Sequence, residues 1–288
     1  MESHSSTIVP IQNDDENIQT LRFDEAHVDH DRHLDHREGA VNPQNPNNAE
    51  SEESNLQTMW KLWWPPSFGL IIISCIQLFF FLIDEIIKNV DSTNSATGPI
   101  AKLFTYDPMK RYEFWRYLTY MFVHKDYGHF ISNLFLQIVY GNFLEKNQGW
   151  WRVFVIYFAG VVAGSLGDPI HSVVGASGGV LSIITAYIPV IIMNWKKMPY
   201  RKMQLIMFVS VIIGILIDSI DNKYEIAWLT HFFAVMAGFL VSIVVSKDQK
   251  LKEKGNIKRW IALACYVILM LLEICCNIFY SYYFPVQI

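Results

Sequence analysis

The sequence predicts an all-α protein, a polytopic transmembrane helical bundle of seven spans. Three observations carry that prediction. Apolar runs of membrane length recur along the chain. Lys and Arg collect in alternate short connections. A few polar residues interrupt the apolar runs, where hydroxyl and imidazole groups are costly unless paired or used.

The chain has 288 residues, is 52% hydrophobic and carries a net charge of −4. Residues 1–66 are polar, and 1–58 are rich in Asp, Glu, Asn, Ser and His. Such a segment cannot bury enough surface to offset its ordering entropy, so a disordered cytosolic tail is expected. His27, His30, His33 and His36 recur there with Asp29, Asp31 and Asp35 between them. That composition suits a metal, but nothing rigid holds the side chains, so no metal site and no cofactor are expected. No apolar stretch begins near Met1, so no cleavable signal peptide is expected and the first span directs insertion.

The candidate spans are 67–87, 129–145, 151–167, 177–195, 203–221, 227–246 and 260–284. The second is laced with His129, Ser132, Asn133, Gln137, Asn142 and Glu145. That polarity fits a helix facing protein rather than lipid. The domain reading follows: a tail over 1–66, a six-span core over 67–246 with a long first loop at 88–128, a basic cytosolic loop at 247–259, and a seventh span with a short tail over 260–288.

With the N-terminus cytosolic, that side carries thirteen Lys and Arg from Lys61 onwards, and the other carries seven. Six of the seven lie in the first loop, so the short loops agree on a cytosolic N-terminus and an outward C-terminus. Under that topology His129, Ser177 and His231 all fall near the non-cytosolic face. No basic field suits nucleic acid. Cys75, Cys265, Cys275 and Cys276 lie in apolar runs, which predicts buried thiols rather than disulfides.

Small residues mark close packing. Gly160 and Gly164 form a G-x-x-x-G pair, Gly178 and Gly179 open span four, and Ala234, Ala237 and Gly238 mark span six. Close approach of spans four and six would bring Ser177 to His231.

A serine hydroxyl needs a base to become a nucleophile. Ser177 sits between glycines that remove side-chain bulk so that a substrate backbone can come close. The unpaired N–H groups of a first helical turn lie nearby to hold an oxyanion. The same residues also read as a helix cap with packing glycines. His231 has the imidazole a general base needs near neutrality, and it also reads as a structural hydrogen-bonder. No carboxylate lies near either in sequence, which points to a dyad rather than a triad. His129 and Asn133 are four apart on one helical face and can donate towards one point. Interhelical bonding is the other reading of that pair.

These residues resemble the rhomboid intramembrane serine proteases. The matching features are Trp115-Arg116 in the first loop, the H-x-x-x-x-H-x-x-x-N run from His124 to Asn133, Gly175-Ala176-Ser177-Gly178-Gly179, and His231 with Gly238 seven residues on. They cover 67–246 in order, and the extra seventh span is similar to the animal secretase type. The resemblance implies Ser177 as nucleophile and His231 as base. It implies an oxyanion hole of His129, Asn133 and the Ser177 N–H, a first loop shaped by Trp115-Arg116, and a structural His124. Two positions depart from the pattern. Leu181 stands where an aromatic residue usually stacks on the histidine, and Ala234 stands where Gly is usual.

The expected function is hydrolysis of a peptide bond in the transmembrane segment of a single-span membrane protein, growth-factor precursors being the implied substrates. The secretory pathway or plasma membrane is the implied location. A non-catalytic relative that binds membrane clients and controls their traffic or degradation is the alternative. Zinc and aspartyl intramembrane proteases fit worse. The His-Glu-x-x-His motif is absent, and Ser165 stands where the aspartyl motif beside Gly167-Asp168 needs Gly. No inverted repeat suggests a transporter.

Overall fold

A computed structural model describes residues 68–87, 97–195, 228–247 and 256–283, with shorter pieces between 201 and 213. Its helices are α1 (Phe68–Ile87), α2 (Pro99–Phe104), α3 (Arg116–Thr119), α4 (Tyr127–Gln148), α5 (Trp150–Leu166), α6 (Ser177–Asn194), α7 (Trp228–Val245) and α8 (Asn256–Tyr283). The fold is an all-α membrane bundle. The long helices match six of the predicted spans within about a turn. Span five falls partly outside the described residues, as do the tail and its histidines.

By length and composition α1, α7 and the stretch Ile257–Phe279 of α8 suffice to cross a membrane, and α5 and α6 are shorter apolar helices. Large apolar side chains such as Ile72, Phe79, Ile268 and Leu272 point outwards. A helix apolar on its outer face suits lipid rather than water. The four cysteines follow this pattern and correct the expected burial. All are free thiols exposed on the protein surface. Their apolar surroundings include the bilayer, so a cysteine in a span need not lie in the protein core.

The weakly apolar α4 faces protein, as its composition predicts. Gln137 is fully buried and donates to Ser74 Oγ at 2.8 Å and to Gln77 Oε1 at 3.0 Å. Tyr157 completes the cluster, donating to Gln137 Oε1 at 2.9 Å. Buried amides left unpaired would each cost about 1–3 kcal/mol. The cluster therefore joins α1, α4 and α5 through mutual satisfaction.

Helices α5, α6 and α7 form the tightest part of the bundle. A Cβ on Gly160 would collide with Ser182 and the Gly178 carbonyl, and one on Gly164 would crowd Thr230 and the Tyr120 hydroxyl. A Cβ on Gly238 would strike the Ser182 backbone. Small residues thus set the α5–α6, α5–α7 and α6–α7 approaches.

Candidate active site

Helix α6 begins at Ser177, and Ala176 occupies its N-cap with no side-chain capping bond. The Ser177 hydroxyl is turned instead to the first turn of α7, where Ser177 Oγ lies 3.1 Å from His231 Nε2. The geometry therefore goes against the simple helix-cap reading. Ala234 is fully buried one turn beyond His231, and the short contact forms with that methyl in place. Leu181 is buried one turn after Ser177.

Gly175 has φ +106°, a conformation that suits glycine. The His129 ring occupies the space where a side chain would stand. That contact brings His129 to the loop just ahead of the serine. Asp126 caps α4 by accepting from the His129 N–H at 2.8 Å, which fixes where the ring starts. His124 is buried, with its ring 5.5 Å from that of His129 and 5.1 Å from that of Phe130. Burial, and then the nearby His129, push its imidazole down to about 3. A ring held neutral in an aromatic pocket braces His129.

Asn133 differs from the expected picture. Its Nδ2 donates to the His129 carbonyl of its own helix at 2.8 Å, so it does not bridge helices. The amide carries a second N–H besides the one used in that bond. Gly178 and Gly179 are packed closely, as the small-residue pattern predicts. Their faces are filled by the Tyr120 hydroxyl and the Tyr157 ring.

Trp115 and Arg116 act away from the Ser177–His231 contact. Arg116 is buried and donates to the carbonyls of Thr105 at 2.7 Å and Lys102 at 3.0 Å, and it pairs with Glu113 at 2.6 Å. Trp115 Nε1 donates to the Leu103 carbonyl at 3.1 Å. At the other end of α2, Asp84 of α1 accepts from the N–H groups of Ile100 and Ala101 at 2.8 and 2.9 Å. The short helix is tied at both ends, as its length requires.

The first loop in turn holds the serine loop. Tyr106 and Val173 exchange backbone hydrogen bonds of 3.1 and 3.0 Å, and the Gly175 N–H donates to the Tyr120 carbonyl at 3.1 Å. Asp168 is a site neighbour that sequence reasoning missed. Its fully buried carboxylate accepts from the N–H groups of Ile170 and His171, from Thr230 Oγ1 at 3.3 Å, and contacts His171 Nδ1 at 2.9 Å. Thr230 directly precedes His231, so Asp168 links the serine loop to the histidine helix. A carboxylate at a span edge was the available signal. Among the described residues, no cluster of metal-binding side chains occurs.

A family profile described as Rhomboid domain matches residues 111–248, which contain Trp115, Arg116, His124, His129, Asn133, Ser177 and His231. Mouse "Rhomboid-related protein 2" is 31% identical over 233 residues, covering 75% of this chain and 76% of that protein. The chain belongs to the rhomboid family. Human "Rhomboid-related protein 3" is 30% identical over 232 residues, covering 75% of this chain and 57% of that protein. The "Inactive rhomboid-related protein 2" of Caenorhabditis elegans is 27% identical over 216 residues, covering 69% of this chain and 60% of that protein. The rhomboid family includes intramembrane serine proteases and also members named inactive. Within this rhomboid chain the serine, the histidine and the residues around them are all present.

Proposed function

We propose that this rhomboid is an intramembrane serine endopeptidase that cuts transmembrane segments of single-span membrane proteins of the growth-factor-precursor kind. The observation that carries the reading is the 3.1 Å contact between Ser177 Oγ and His231 Nε2. In this mechanism His231 Nε2 takes the hydroxyl proton while Oγ attacks the peptide carbonyl. The tetrahedral oxyanion accepts from the Ser177 N–H, His129 and Asn133. His231 returns the proton to the leaving amine, and water then releases the acyl group from Ser177.

The same reading gives residues 67–246 the role of catalytic core, with a cytosolic N-terminus, seven spans in all and a place in the secretory pathway or plasma membrane. Water reaches the site from the non-cytosolic side. The second reading is a client-binding protein without protease activity. The similarity to a relative named inactive supports keeping it.

The deciding experiment is co-expression with a model single-span substrate at matched protein levels. Wild type is compared with Ser177→Ala, His231→Ala and Leu181→Tyr. Product from wild type that both alanine variants abolish is expected. Faster cutting by Leu181→Tyr would mark the leucine as a handicap. No product from any variant, with the client still co-purifying, would favour the binding reading.

A further inference from the structure

Helix α8 lies beyond the Rhomboid domain, which ends at residue 248. Its sequence is apolar except for a few positions, and two of these, Glu273 and Asn277, are one turn apart on one face. Both are buried, at 1% and 4% exposure, so that face is turned into the bundle. The outer face carries Leu271, Leu272 and Ile278 to the surface.

Asn277 sits where three segments meet. Its Oδ1 accepts from Arg111 Nε at 3.0 Å and from the Tyr106 hydroxyl at 3.3 Å. Its Nδ2 donates to the carbonyl of Leu166, the last residue of α5. Arg111 continues the chain of contacts, donating through Nη2 to the Pro169 carbonyl at 2.6 Å. One amide therefore touches the first loop and the root of the serine loop, and its partner Arg111 touches the serine loop itself. A buried amide satisfied on both sides fixes position more than it adds stability.

We infer that Asn277 is a positioning residue. Together with Arg111 it makes α8 a strut that sets the loop 167–176, and so the placement of Ser177 against His231. The kinetic part of this inference rests on the serine-protease reading. The positional part does not.

The test uses the full chain in detergent with four variants: Asn277→Leu, Asn277→Asp, Arg111→Leu and the Asn277→Leu/Arg111→Leu double. Leu272→Ala, on the outer face of α8, is the control. Two readouts are taken. Hydrogen exchange follows the amides of Ile170, His171, Val173 and Gly175, all of which are hydrogen-bonded. Cleavage kinetics on a model single-span substrate separate kcat from KM. Asn277→Leu is expected to speed exchange in the loop and to lower kcat roughly ten- to a hundredfold with KM little changed. Asn277→Asp, which keeps the acceptor for Arg111, should retain more rate than Asn277→Leu. The double variant should be no worse than either single, because both break one linkage. Leu272→Ala should match wild type. Unchanged loop exchange in Asn277→Leu overturns the inference. So does faster exchange with unaltered kcat, or additive losses in the double variant. If wild type cuts nothing, the protease reading fails by itself, and loop exchange still decides whether α8 holds the loop.

Discussion

The His129 ring stands on Gly175, two residues ahead of Ser177, in the space any side chain there would need. The Gly175 backbone is also in the left-handed region at φ +106°. Gly175→Ala should therefore cost about 1–2 kcal/mol in backbone strain and displace the ring. Substrate cleavage should fall roughly ten- to a hundredfold. Initial rates at matched protein levels check this, and a full rate would show that His129 can move without consequence.

Gly238 governs the other half of the site. A side chain there meets the Ser182 backbone, which cannot step aside. Gly238→Val should push α7 from α6 and lengthen the Ser177–His231 contact. The expected loss is roughly a hundredfold in rate, with about 1–3 kcal/mol of overpacking cost. Reaction of Ser177 with a fluorophosphonate probe, set beside thermal unfolding, separates the two effects.

His124 predicts a pH dependence of stability. Its folded-state pKa is held at about 3, against an ordinary value of 6.5. Above pH 6.5 the ring is neutral in both states and gives no pH slope. As pH falls below that, the unfolded chain binds a proton that the folded pocket refuses, so stability declines until about pH 3. His124→Phe should remove most of this slope. Thermal unfolding of both proteins in detergent across that range is the measurement, and parallel curves would assign the acid sensitivity elsewhere.

Arg116 should not tolerate replacement by lysine. Its donors fan out to Glu113, Thr105 and Lys102 at once. An ammonium is compact and cannot reproduce that fork. Arg116→Lys should loosen the first loop by roughly 1–3 kcal/mol and hasten its cleavage by an added protease between residues 97 and 122. Equal proteolysis would mean that Trp115 and Asp84 suffice to hold α2.

The boundaries of the long helices were legible because helix length follows from the apolar runs. The Ser177–His231 pair was legible because each polar group interrupts an apolar run. Other features depend on distant contacts that no local pattern records. Asp168 meets Thr230 across 62 positions. Arg111 meets Asn277 across 166. Gly178 and Gly179 were legible as packing residues, but not which side chains, Tyr120 and Tyr157, fill the space they leave. The cysteines were misplaced because apolarity cannot tell lipid from protein.

The Gln77–Gln137–Tyr157 cluster bears on how the chain enters the membrane. Helix α4 is too polar to partition into lipid as an isolated segment. Its amides find partners on α1, already synthesised, and on α5, which follows. If α4 spans the membrane, its insertion should therefore depend on α1 and α5 being present. A chain truncated before α5 would keep Gln77 and Gln137 but lack Tyr157. It should present a degradable, half-inserted hairpin to cellular quality control.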